Sequence, residues 1–175
     1  MAKKIVIIGA SGHGKTTLIA SIKSVLGGKF TNPAEIEKIN SRYSVKFRCG
    51  GEEFEFFDFP NAEDYAGNID GTEDGAVLVI DSCEGPLGEA REHIEICIEN
   101  GIENFIIFMN KKDLMDDDDL MKTCEIETRE VFDEEGIFSD DIPAVWGSAE
   151  KALCSPNSFW GDSVKELIFK VSSEF

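Results

Sequence analysis

The chain opens with an apolar run, Ile5-Val6-Ile7-Ile8, that leads straight into Gly9-Ala10-Ser11-Gly12-His13-Gly14-Lys15-Thr16. This is G-x-x-x-x-G-K-[ST] in the context the pattern needs. A buried strand ends, the chain turns on glycines, and a helix begins at Lys15. Backbone N–H groups of such a loop converge on one point beside the positive end of a helix dipole, which makes a nest for polyphosphate. Lys15 is placed to reach β- and γ-phosphates, and the Thr16 hydroxyl to hold magnesium. The loop predicts a nucleoside triphosphate ligand.

Outward from the loop, strand and helix signals alternate. Residues 15–26 carry Leu18, Ile19, Ile22, Val25 and Leu26 at helical spacing before Gly27-Gly28. Residues 31–41 read as polar and irregular. Residues 43–48 and 53–57 alternate around Gly50-Gly51 as a β-hairpin. A polar stretch, 61–70, precedes a buried strand at 76–80, a helix at 87–99 and a fully apolar strand at 105–109. Next come an amphipathic helix at 118–135 with Leu120, Met121, Cys124, Val131 and Phe132 inward, and a short strand at 143–146. A closing helix at 163–175 is read as starting on the capping box Ser163-x-x-Glu166. Apolar strands alternating with helices predict an α/β fold, a mostly parallel sheet covered on both faces with one antiparallel edge strand. Ligands in such sheets bind at the carboxyl ends of the strands.

Composition narrows the function. With 175 residues and 42% hydrophobic content, the chain reads as one soluble domain, 1–175. No apolar run reaches membrane-span length, and the immediate entry into a strand leaves no room for a signal peptide. Five cysteines without a C-x-x-C pair suit free thiols in a reducing cytoplasm. A formal charge of −18 without a basic patch argues against nucleic acid and anionic membranes as direct partners. The run Asp116 to Asp119 lacks the alternating ligands and glycine of a calcium loop and reads as an acidic helix start.

The base-reading signal follows the strand at 105–109, in Asn110-Lys111-Lys112-Asp113. The Asp113 carboxylate can accept two parallel hydrogen bonds from guanine N1–H and N2. Adenine offers neither donor there, so ATP would strand a desolvated carboxylate. Asn110 can meet N7 and tie down the phosphate loop, and the Lys111 stem can lie on the base. One helix and one strand later, Gly147-Ser148-Ala149 resembles the small S-A pair of GTPases, which by that resemblance turns a backbone N–H toward O6. GTP or GDP with Mg2+ is therefore the expected ligand, over the ATP-dependent enzyme that the phosphate loop alone allows.

Taken in order, these segments resemble the G domain of translational GTPases, most closely that of elongation factor Tu. The likeness is carried by Gly14-Lys15-Thr16-Thr17-Leu18 with His13 before it, Asp74-Gly75-Ala76 with Leu78-Val79, Gly85-Pro86, Arg91-Glu92-His93, Phe108-Met109-Asn110-Lys111 and Gly147-Ser148-Ala149. It implies a six-stranded P-loop GTPase sheet. It also implies a nucleotide site formed by Gly9, Ala10, Ser11, Gly12, His13, Gly14, Lys15, Thr16, Thr17, Asn110, Lys111, Asp113, Ser148 and Ala149, with Thr16 and Asp58 on magnesium. The departures matter as much. The family's D-x-P-G-H-A-D-Y segment reads Asp58-Phe59-Pro60-Asn61-Ala62-Glu63-Asp64-Tyr65. Asn61 replaces the glycine that senses γ-phosphate, and Ala62 replaces the histidine that positions water. Gly12 replaces an aspartate, and residues 31–45 contain no R-G-I-T segment. Losing a water-orienting group costs on the order of 10²–10⁴ in rate. Catalysis would then rest on Lys15, with Asn61, Glu63 or a partner's residue left to hold water. The sequence given stops after its last helix, without the two β-barrel domains that help elongation factor Tu hold aminoacyl-tRNA, so tRNA delivery is not expected. Two functions stay open. One is a slow GTPase switch answering to a ribosome, an exchange factor or an activating factor. The other is a pseudo-GTPase that holds nucleotide without turnover.

Overall fold

The computed structural model describes residues 1–27, 37–39, 42–59 and 63–175. Asn61, Ala62 and most of the 31–41 stretch lie outside the described residues. Among the described residues, seven strands form one sheet in the order β2-β3-β4-β1-β5-β6-β7. They are β1 (Lys3–Ile8), β2 (Glu37–Ile39), β3 (Arg42–Cys49), β4 (Glu52–Asp58), β5 (Gly75–Asp81), β6 (Phe105–Asn110) and β7 (Ala144–Trp146). The six strands read from the sequence are all present, and the three-residue β2 adds a seventh at the edge. Strand β3 pairs antiparallel with both β2 and β4, and the other neighbouring pairs are parallel. The β3–β4 turn is made by Gly50 and Gly51, both at positive φ.

Among the described residues, six α-helices cover the sheet: α1 (Lys15–Val25), α2 (Glu63–Ala66), α3 (Gly88–Glu99), α4 (Asp118–Glu134), α5 (Ala149–Cys154) and α6 (Phe159–Glu174). Side chains alternate along each strand, so the buried runs divide cleanly. Ile5, Ile7, Val77, Val79, Ile106 and Phe108 pack beneath α1, α5 and α6. Val6, Ile8, Leu78, Ile80, Ile107 and Met109 pack beneath α2, α3 and α4. Chain order reverses around β1, which lies between β4 and β5. The carboxyl ends of these strands, where a crevice forms in such sheets, carry Gly9, Asp58, Asp81, Asn110 and Gly147.

Three local expectations need correction. Helix α6 starts at Phe159, not at a Ser163 capping box. Ser163 is buried inside the helix and its hydroxyl donates to Trp160 O at 2.7 Å. A serine can bond its own preceding turn as readily as it caps one. Leu120 is 56% exposed, because α4 turns Met121, Cys124, Thr128 and Phe132 inward. Leu26 falls at the C-cap of α1, where the helix has ended, and is exposed. The acidic start of α4 stands as read: Asp117 caps it, accepting from the N–H groups of Asp119 and Leu120.

Candidate functional site

The β1 strand delivers the loop of residues 9–16 to the middle of the carboxyl edge. Its shape depends on glycine at two points. Gly9 has φ +136°, and a Cβ there would fall 2.3 Å from Val79 O. Gly14 has φ +97°, and a Cβ there would fall 2.3 Å from the Asn110 amide nitrogen. The Lys15 ammonium donates to Gly9 O at 2.9 Å and Ala10 O at 3.1 Å. Burial pulls its pKa below the ordinary lysine value, against the opposing pull of the Asp58 and Glu89 carboxylates.

Beside Lys15, the Thr16 hydroxyl donates to Asp58 Oδ2 at 2.7 Å. Asp58 ends β4 and is 1% exposed. Its other oxygen accepts from the Tyr65 phenol at 2.7 Å, and Tyr65 also contacts Ile7 O at 2.8 Å. Burial raises the Asp58 pKa, with the Thr16 and Tyr65 hydrogen bonds and the Lys15 charge pulling it back. One hydroxyl and one carboxylate are hard oxygen donors of the kind magnesium takes when phosphates and water complete its shell. Thr16 and Asp58 fit that ion. A bound magnesium would neutralise charge on a polyphosphate here.

On the other side, Asn110 joins three segments. Its Nδ2 donates to His13 O at 2.8 Å, and its Oδ1 accepts from the Ala149 N–H at 2.9 Å. The Ala149 N–H that the resemblance turns toward guanine O6 is thus bonded to Asn110. Lys111 stands at φ +61° and its ammonium reaches Gly12 O at 2.9 Å and Asp81 Oδ2 at 2.5 Å. Asp113 lies in the short 3-10 turn Lys112–Leu114. The Ser148 side chain caps α5, accepting from Lys151 N.

Two adjoining cavities result. A larger one, about 310 Å³, is lined by Ser11, Lys15, Thr16, Asp58 and Phe59 together with Gly12, Gly14 and Thr17. A smaller one, about 110 Å³, shares those last three residues and adds Asn110, Lys111, Asp113, Leu114, Ser148 and Glu150. Lys15 thus lines one cavity and Asp113 the other, with the loop residues Gly12, Gly14 and Thr17 common to both.

Four supporting residues were not foreseen as such. Asp81, 3% exposed, holds Lys111. Tyr65 steadies Asp58. His13 is buried, and its Nδ1 accepts from Asp81 N at 3.2 Å. Its Nε2 lies 3.3 Å from a Glu84 oxygen without the alignment of a hydrogen bond. His93 on α3 accepts from Gly9 N at 3.3 Å, and its ring lies 4.1 Å from that of Tyr65. Burial, aided by the Lys15 charge, lowers the His93 pKa to about 4. One sequence signal could have found Asp81: a carboxylate that ends a wholly apolar strand needs a cationic partner.

A phosphate loop, a buried carboxylate beside its threonine and an N-K-x-D turn at the end of β6 define a guanine-nucleotide-binding architecture. The family described as "Elongation factor Tu GTP binding domain" matches residues 2–173, and the chain belongs to that family. It is a GTP-binding protein of the translational GTPase type.

Proposed function

We propose that the chain binds GTP and GDP with magnesium and hydrolyses GTP slowly, as a switch read by a protein partner in the cytoplasm. The carrying observation is the shared lining of the two cavities by Gly12, Gly14 and Thr17. It supports one nucleotide lying with phosphates at Lys15 and base at Asp113. In this reading Lys15 holds β- and γ-oxygens, and Thr16 and Asp58 hold magnesium. Asn110 spends one amide hydrogen on His13 O and keeps the other for guanine N7. Asp113 accepts from N1–H and N2, the Lys111 stem covers the base, and the Ala149 N–H must exchange its Asn110 partner to reach O6. The family name and the N-K-x-D turn favour guanine over adenine.

Slow turnover follows from Ala62, whose methyl group cannot hold water, and from the absence of an R-G-I-T segment, whose threonine would complete the magnesium shell, in residues 31–45. The test is chromatography of nucleotide co-purifying with the protein, then single-turnover GTP hydrolysis with and without ribosomes. Retained guanine nucleotide and slow unassisted hydrolysis are expected. Fast unassisted hydrolysis would reject the consequence drawn from Ala62. Nucleotide retained with no turnover under any condition would favour the pseudo-GTPase.

A further inference from the structure

Ser11 lines the larger cavity, but its N–H is already engaged: it donates to Oε2 of Glu89 at 2.6 Å. Glu89 stands in the first turn of α3, where the helix dipole favours a carboxylate. The same charge acts on Lys15 and on His93, raising the proton affinity of each against the larger effect of burial. One acidic side chain thus holds a loop N–H and shares the field of the loop lysine, two groups that otherwise serve phosphate.

Its place in the groove sets the consequence. Gly12, Gly14 and Thr17 line both cavities, whereas Ser11, Lys15, Thr16, Asp58 and Phe59 line only the larger. A nucleotide with its base in the smaller cavity points its outermost phosphate toward Ser11 and Lys15. We propose that Glu89 is a tethered stand-in for the terminal phosphate. Its carboxylate occupies the Ser11 N–H, opposes a second anion at that end of the groove, and so biases the site toward a nucleoside diphosphate over a triphosphate. The inference rests on the guanine-nucleotide reading above. A diphosphate reaches Lys15 with its β-phosphate but has no third phosphate to set against the Glu89 carboxylate, so Glu89 acts on the choice between the two nucleotides and not on the base.

Calorimetric titration of the full chain with GDP and with a non-hydrolysable GTP analogue, in magnesium, tests this on the native protein, Glu89→Gln and Glu89→Ala. Glutamine keeps an acceptor for Ser11 N–H and removes the charge; alanine removes both. Analogue affinity is expected to rise roughly tenfold in Glu89→Gln, the scale of one partly screened charge pair, and further in Glu89→Ala. GDP affinity should stay within about twofold. Equal shifts for both nucleotides, or none, overturn the proposal and leave the nucleotide reading intact. So does slower single-turnover hydrolysis in Glu89→Gln at an unchanged affinity ratio, which makes Glu89 a water-holding group instead. Failure of all three proteins to bind either nucleotide removes the nucleotide reading itself, and Glu89's role falls with it.

Discussion

His93 shows how a residue far in sequence shapes the phosphate loop. Its ring accepts from Gly9 N across 84 residues, and it is 1% exposed. Its native form is neutral, with a pKa near 4 against an ordinary 6.5. A histidine whose folded pKa lies below its unfolded one stabilises fully above about pH 6.5 and loses that contribution as the pH falls toward 4. Glutamine at this position keeps an acceptor for Gly9 N without the titration. The native protein is therefore expected to lose stability relative to His93→Gln between about pH 6.5 and 4. The loss should not exceed about 2 kcal/mol once screening near the site is allowed for. Urea melts across that range check it, and a pH-independent difference would remove the assignment. The residues proposed for phosphate and base could be picked out in the sequence because they sit at fixed spacing within one loop or one turn. Asp81, Glu89 and His93 were not so placed. Their partners stand 30, 78 and 84 residues away, and only the sheet brings them together.

Among the elements, the end of β6 matters most. Asn110 lies 3% exposed at its last position and stitches the loop after β1 to the start of α5. Asn110→Ala would leave His13 O and Ala149 N without this partner in a buried place, at a cost of about 1–3 kcal/mol for each stranded group. The expected outcome is a loss of about 2–6 kcal/mol of unfolding free energy in urea melts together with weakened GDP binding. Unchanged stability would show that Asn110 is not the clamp. Strands such as β5 and β6 were legible because continuous apolar runs have no other home. Short elements were harder. Helix α2 is four residues long and was read as a polar stretch, although Tyr65 and Ile69 within or just after it are buried. The start of α6 was misread for a physical reason: the serine at 163 faces its own preceding turn, while Ser158 marks the N-cap.

Across the whole molecule, the alternation along β1, β5 and β6 sends odd and even side chains to two separate cores. This fixes which helices lie on which face. The parallel strands β1, β4, β5, β6 and β7 also bring their carboxyl ends to one edge, where loops distant in sequence line the two adjoining cavities. That arrangement follows from the right-handed crossover and the order of elements, so the fold was largely legible once the alternation was seen. The three-residue edge strand β2 was not, since a stretch that short carries no period.

The central claim is that one guanosine nucleotide spans this groove from Lys15 to Asp113. Its most direct test is titration of the native protein and Asp113→Asn with guanosine and xanthosine diphosphates. An amide at 113 should lower guanosine diphosphate affinity roughly a hundredfold, as loss of a paired charge-assisted contact implies, and should favour the xanthine base, whose carbonyl at carbon 2 suits an amide donor. Guanosine diphosphate bound equally well by both proteins, with no gain for xanthine, would contradict it.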